Sequence, residues 1–290
     1  MAQISSALPD LHVRARQAAT LLRLPFRSRS WRGVQGNWQG AGTGSSLDFQ
    51  DHRPYTPGDD PRYINWQAYA RTGHFTMKLY RQEVSPAVDV AVDLSASMFV
   101  DEEKAARTAE LFYWVAECAL QTGASLRCYA LGAEGSELMA IETILGHAWL
   151  RELAPPRPEA ARGVPWRHGS LRVFFSDLLW PGEAQAVFHA LSEGQGHGMI
   201  LAPYSTGEAE PNWAGNLEML DCESSATRIQ RIDASVMRRY RAAYHRHFEI
   251  WEQQAIRYHV PLARIPAGCD LAEALRAHVA GGAVEWVEGR

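Results

Sequence analysis

One short stretch, Val88 to Met98 (VDVAVDLSASM), limits the folds open to this chain more than any other. Its β-branched apolar residues have the length of a buried strand, and this strand ends at Asp93, Ser95 and Ser97. A helix is predicted to follow almost at once, from Asp101 to Thr122, with an apolar stripe at helical spacing. A buried strand that passes directly into a helix is typical of open α/β sheets, which bind ligands at the carboxyl edge of their strands.

A second apolar strand, Leu171 to Leu178, also ends near a carboxylate, Asp177. The alternation of strands and helices predicts a doubly wound, mostly parallel α/β sheet with right-handed crossovers. We therefore expect Asp93 and Asp177 at the same edge of this sheet. We divide the chain into an N-terminal α+β extension, residues 1–86, and an α/β domain, residues 87–290, in which residues 206–233 form a β excursion from the sheet.

The composition excludes several classes of protein. The only lysines are Lys78 and Lys104, so a phosphate-binding GxxxxGK loop is impossible. A net charge of -4 and a pI of about 6.3 argue against a nucleic-acid partner. The four cysteines form no CxxC pair. The sequence contains no run of about 18 apolar residues, so no membrane span is predicted. The sequence therefore predicts a cytoplasmic protein with reduced thiols.

Carboxylates and hydroxyls at one sheet edge suggest a metal site. Asp93, Ser95, Ser97 and Asp177 offer only oxygen atoms, with no histidine or cysteine among them. Oxygen ligands suit a hard cation, Mg²⁺ first, with Mn²⁺ or Ca²⁺ as alternatives.

A second group of candidate residues lies between Leu47 and Val84. Acidic and basic residues there are interleaved with aromatic residues, and the strongest candidates are Asp59, Asp60, Arg62, Trp66 and Arg71. They are interpreted either as a structural clamp, with arginines paired to carboxylates, or as a surface that binds a partner.

The segment RPYTPGDDPRYINWQAYARTG, residues 53–73, together with VDVAVDLSASM, resembles the bacterial domain-of-unknown-function family fifty-eight. The resemblance implies a von Willebrand A-type, Rossmann-like domain and a MoxR-type AAA+ ATPase as partner. It also implies a metal-ion-dependent adhesion site, for which Asp93, Ser95 and Ser97 match the DxSxS element and Asp177 matches the second aspartate. The loop from Arg157 to Gly169, where the family pattern places a threonine ligand, contains none, so the predicted metal site is partial.

The leading hypothesis is a non-enzymatic protein-interaction module, an adaptor or chaperone component that works with a MoxR-type AAA+ ATPase. One alternative is a metal-free scaffold, in which Asp93 and the serines cap the following helix and hydrogen-bond to Asp177. A metal-dependent phosphoester hydrolase is a further alternative. The sequence offers it neither a positioned histidine base nor a glycine-rich phosphate loop.

Overall fold

The computed structural model describes residues 2–26, 35–43, 49–84, 86–132, 135–150, 161, 163–180 and 183–287. The helices in these ranges are α1 (Ala2–Ala19), α2 (Trp66–Thr72), α3 (Glu102–Gln121), α4 (Ile141–Leu145), α5 (Ala184–Ser192), α6 (Thr206–Ala209), α7 (Ala234–Tyr258) and α8 (Leu271–Arg276). The strands are β1 (Leu22–Arg23), β2 (Gln35–Thr43), β3 (Phe49–Pro54), β4 (Thr76–Val84), β5 (Ala87–Asp93), β6 (Ser125–Gly132), β7 (Gly135–Met139), β8 (Leu171–Phe175), β9 (His197–Tyr204), β10 (Gly215–Leu220), β11 (Thr227–Ile232), β12 (Leu262–Pro266) and β13 (Glu285–Trp286).

Six strands form the central sheet, in the order β12-β9-β8-β5-β6-β7. All neighbouring pairs are parallel except β6 with β7, which are antiparallel. The chain starts this sheet at β5, continues outward through β6 and β7, and then returns to the other side of β5 with β8. The prediction of a mixed α/β protein with a mostly parallel sheet is confirmed. The chain adds strands first on one side of β5 and then on the other, so the strand order reverses between β5 and β8. Open α/β sheets form a ligand-binding crevice at such a reversal, outside the carboxyl ends of the strands.

Helices cover both faces of the sheet, because successive side chains of a buried strand point to opposite sides. Val90 and Val92 of β5 belong to one apolar core, to which α1, α3 and α8 contribute. Ala91 belongs to a second core, which α5 and α7 cover. The strands are therefore buried on both faces, which explains their near-continuous apolar sequences.

The N-terminal residues pack into the first of these cores. Leu8 and Leu11 of α1 are buried against α3, and the indole nitrogen of Trp114 donates a hydrogen bond of 2.9 Å to the carbonyl of Leu22. The apolar spacing predicts a helix over residues 10–24, whereas the observed helix ends at Ala19. The reason is that β1 pairs antiparallel with β13, so residues 22–23 are extended.

Three further regions complete the described chain. Strands β2, β4 and β3 form an antiparallel sheet, and α2 lies between β3 and β4. The predicted β excursion consists of α6 and an antiparallel hairpin of β10 and β11. The sequence pattern predicts a helix from Thr143 to Leu153, of which residues 151–153 lie outside the described residues. The prediction is wrong in its extent, because α4 ends at Leu145 and His147 takes the left-handed conformation with φ 59°. Residues 157–160 and 162 of the predicted ligand loop lie outside the described residues.

In the described part of the chain, no helix is both long enough and apolar enough to cross a membrane.

Candidate functional site

The candidate site lies at the carboxyl ends of β5 and β8, the two strands between which the sheet order reverses. Val92 of β5 pairs in parallel register with Phe175 of β8. Asp93 ends β5, and Asp177 follows Phe175 by two residues. The structure thus brings both predicted aspartates to one edge of the sheet, here called the rim.

Asp93 is a buried carboxylate whose two oxygens both accept hydrogen bonds. Its Oδ1 accepts from the backbone N–H of Ser95 at 2.9 Å, and its Oδ2 accepts from the hydroxyl of Ser176 at 2.7 Å. Burial raises the pKa of Asp93 to about 6, and the nearby negative charge of Asp177 contributes to the rise. The hydrogen bonds from the two serines oppose it only in part.

Asp177 is paired with a fully buried lysine. The ammonium nitrogen of Lys104, in the first turn of α3, lies 2.8 Å from Oδ2 of Asp177 and 2.6 Å from Oε2 of Glu208. Burial opposes the charged form of Lys104, but the two carboxylates outweigh burial and raise its pKa. Burial also raises the pKa of Glu208, which Lys104 only partly offsets. The Oδ1 atom of Asp177 accepts the backbone N–H of Leu179 at 3.1 Å.

The two predicted serine ligands lie on the turn that follows β5. Their hydroxyl oxygens are 3.0 Å apart. The backbone N–H of Ser97 donates to Oε1 of Glu223 at 2.8 Å, and Glu223 belongs to the turn between β10 and β11. The hairpin therefore reaches the rim and places a carboxylate against it.

These contacts do not fit the predicted metal site. The charge of Asp177 is already paired with Lys104, and both oxygens of Asp93 already accept hydrogen bonds. Among the described residues, no three or more histidine, cysteine, aspartate or glutamate side chains converge in a way that could hold a metal ion. Asp93, Ser95, Ser97 and Asp177 thus share the rim, and the ammonium group of Lys104 contacts one of these four implied ligands, Asp177.

The capping of α3 differs from that expected in the metal-free alternative. The residue that caps α3 is Asp101, whose Oδ1 accepts the backbone N–H of Lys104 at 2.7 Å. Asp93 instead caps the turn at Ser95.

In the second group of candidate residues, both aspartates form local pairs with arginines. Asp59 pairs with Arg53, through two oxygens at 2.7 and 2.6 Å, and this pairing lowers the pKa of Asp59 to about 2. Asp60 pairs with Arg62 two residues away and caps the short helical turn Pro61–Tyr63. Both pairs join an arginine to a carboxylate, which is the type of contact that the clamp interpretation assumes.

The remaining two candidates of this group face outward. Trp66 begins α2 with 58% of its surface exposed, and Arg71 is exposed near the end of the same helix. These two residues match the surface interpretation better than the clamp.

Sequence reasoning missed four residues of the rim, namely Lys104, Ser176, Glu208 and Glu223. Glu208 could have been found, because it follows the end of β9 as Asp177 follows the end of β8. Lys104 carried a weaker signal: it is one of two lysines among 29 basic residues.

Comparisons with known proteins give one family and two distant structural likenesses. No curated protein matches the chain. One similar solved structure is the crystal structure of conserved hypothetical protein BatB from Bacteroides thetaiotaomicron, with 11% identity and a TM-score of 0.35 over 69% of this chain and 99% of that chain. Another is the crystal structure of an aerotolerance-related membrane protein from Bacteroides fragilis NCTC 9343 that carries multiple mutations to serines. It shares 12% identity with this chain and has a TM-score of 0.37 over 68% of this chain and 97% of that chain.

Both TM-scores lie below 0.5, so neither likeness bears on what the rim does. The family model described as protein of unknown function DUF58 matches residues 51–250. This match includes the segment around Trp66 and both aspartates of the rim. The chain therefore belongs to the DUF58 family.

Proposed function

We propose that this chain is a non-enzymatic protein-interaction module with a von Willebrand A-type domain, which works with a MoxR-type AAA+ ATPase as an adaptor or chaperone component. The observation that carries the proposal is a cluster of exposed aromatic side chains, Trp66, Tyr69 and Phe75, here called the aromatic cluster. The family resemblance supplies the ATPase as the expected partner.

The rings of the aromatic cluster contact one another, and they do so at the surface of the protein rather than in its core. Tyr69 stacks on Phe75 with ring centroids 4.4 Å apart, and Trp66 meets both rings edge-on at 6.2 and 6.3 Å. Trp66 and Phe75 remain 58% and 45% exposed. Exposed aromatic residues that lie together are typical of interface centres, where tryptophan and tyrosine contribute much of the binding energy.

The backbone that carries the aromatic cluster is held in place by local contacts. Asn65 accepts the N–H of Ala68 at 3.2 Å and so caps α2. Gly73 ends α2 with φ 71°, a conformation that glycine adopts without steric strain. The bidentate pair of Arg53 and Asp59 fixes the preceding loop. A surface ordered before binding loses less conformational entropy when a partner binds.

The rim supports the same proposal in a different way. The hydrogen bond from the Ser97 amide to Glu223 means that this edge can accept a carboxylate. In von Willebrand A domains an acidic side chain of the partner binds at the corresponding edge, through a metal ion. Here we propose that any contact of a partner with the rim does not need a divalent ion, because Lys104 already neutralises Asp177.

The metal-free scaffold remains a second candidate, and the buried contacts of Lys104 with Asp177 and Glu208 favour it. The two candidates differ in one respect. A scaffold of this kind requires no partner at the aromatic cluster, whereas the interaction module does.

The test is a pull-down from the native host with the tagged full chain, followed by mass spectrometry. We expect the wild type to capture an AAA+ ATPase and the Trp66→Ala, Phe75→Ala double variant to lose at least about tenfold in affinity, since a central aromatic residue contributes about 2 kcal/mol or more. Ile256→Ala is the control, because Ile256 is an exposed apolar residue on α7, outside the aromatic cluster.

Metal dependence needs a separate arm, because AAA+ ATPases use Mg²⁺ with their own nucleotide. The tagged chain is therefore treated with EDTA and dialysed before it meets the lysate, and capture is expected to be unchanged. Equal capture of the ATPase by wild type and double variant contradicts the role of the aromatic cluster. Absence of any AAA+ ATPase among the captured proteins contradicts the proposed partner.

A further inference from the structure

We infer that the ammonium group of Lys104 takes the place of a divalent cation at the rim, so that the chain supplies its own cation there. This goes beyond the proposed function and depends on no partner. The reason is that a carboxylate of the rim that could bind a metal ion contacts the ammonium group of Lys104 instead.

Three carboxylates follow the carboxyl ends of three neighbouring strands. Asp93 ends β5, Asp177 follows β8, and Glu208 lies on α6 directly after β9. Carboxylates brought together at low exposure repel one another and need a positive charge near them. Lys104 provides this charge for Asp177 and Glu208 from the first turn of α3.

The position of Lys104 is that of a bound cation rather than of a surface ion pair. Its side chain has no exposed surface, and its nitrogen contacts two carboxylates at 2.8 and 2.6 Å. An ammonium group without solvent is stable in a protein only when it is paired and hydrogen-bonded. Tyr244 adds a hydrogen bond of 3.3 Å to the other oxygen of Glu208, which fixes that carboxylate beside the lysine.

A divalent cation and this ammonium exclude one another. A metal ion bound to Asp177 would lie within a few ångströms of the positive nitrogen, in surroundings that screen charge poorly. Without the ammonium, the same place would hold the carboxylates of Asp177 and Glu208 with no compensating charge, and Mg²⁺ and Mn²⁺ prefer such oxygen ligands.

The test uses the purified full chain with Mg²⁺ and Mn²⁺ as probes. We expect the melting temperature of the wild type to be the same in EDTA, Mg²⁺ and Mn²⁺. We also expect that adding the wild-type protein to a Mn²⁺ solution leaves the electron paramagnetic resonance signal of free Mn²⁺ unchanged. Lys104→Ala is expected to melt at a lower temperature in EDTA and to regain stability as Mn²⁺ is added, since a ligand that binds only the folded state stabilises it.

Two controls separate this site from incidental metal binding. Lys78→Met changes the other lysine of the chain and should leave the response to metal as in the wild type. The Lys104→Ala, Asp177→Asn double variant should lose the response to Mn²⁺. A wild type that binds Mn²⁺ stoichiometrically overturns the inference, and so does a folded Lys104→Ala variant that does not respond to either ion. If Lys104→Ala does not fold, Lys104→Met is used in its place, and the wild-type measurement by itself can still overturn the inference.

Discussion

Replacing Asp93 with asparagine is expected to stabilise the protein near neutral pH and to remove part of its pH dependence. Asparagine keeps the shape of the side chain, its oxygen can accept the N–H of Ser95, and its amide can donate to the hydroxyl of Ser176. What it removes is a negative charge that is buried beside the charge of Asp177.

The size of the effect follows from the pKa of Asp93. Burial, and then the charge of Asp177, raise this pKa from 3.8 to about 6 in the folded protein. An acid with a raised pKa contributes stability that is fully present below its unfolded pKa and lost as the pH rises through its folded pKa. At about 1.4 kcal/mol for each pH unit, the wild type should lose about 3 kcal/mol between about pH 4 and pH 7, relative to the asparagine variant.

The assay is urea unfolding of both proteins in EDTA at a series of pH values, followed by tryptophan fluorescence. The quantity of interest is the difference in free energy of unfolding between variant and wild type, in which the titration of other groups cancels. Asp221→Asn is the control: hydrogen bonds from the Ser224 and Glu223 amides lower the pKa of this exposed carboxyl. The difference in free energy of unfolding between Asp221→Asn and the wild type should not change from about pH 5 to pH 8, because the Asp221 carboxyl titrates below that range. A flat difference for Asp93→Asn would refute the reasoning.

Three further predictions concern other parts of the fold. Arg167→Ala should lower the free energy of unfolding in urea by about 3 kcal/mol, because buried Asp89 loses its guanidinium partner at 2.7 Å, and a loss below about 1 kcal/mol would contradict this. Gly198→Ala should lower the same free energy by about 1–3 kcal/mol, since the new Cβ would lie 2.7 Å from a side chain of α5, and an unchanged value would argue against that packing. A thiol reagent such as DTNB should modify Cys222 and Cys269 in the folded protein and the two buried cysteines only after unfolding, so four equally fast reactions would be the contrary result.

The positions of the two rim aspartates could be predicted from the sequence because they depend on local patterns. Apolar runs define β5 and β8, each run ends at a carboxylate, and parallel strands in one sheet end at the same edge. The chemistry of the rim could not be predicted in this way. Lys104 reads as an ordinary polar residue in the first turn of a helix, and its burial depends on Asp177 and Glu208, which lie 73 and 104 residues further along the chain.

The aromatic cluster was only half predictable, for a related reason. Sequence patterns place Trp66 on a short helix among charged residues, but whether an aromatic ring in such a segment faces a core or the solvent depends on what packs over it. The partners within the charged pairs could not be predicted either. Asp59 bonds to Arg53 across the turn at Gly58, and this choice depends on turn geometry rather than on the spacing of charges.

The pairing of β1 with β13 has a consequence for the order in which the protein forms during synthesis. Residues 22–23 leave the ribosome long before their partner strand, which begins only at Glu285, after the last strand of the central sheet has ended at Pro266. The nascent chain therefore keeps an unsatisfied strand backbone beside α1 until residues 285–286 have been synthesised. A pause or truncation before residue 285 would leave that backbone free to pair with another chain, so this seam is a point at which incomplete copies would begin to aggregate.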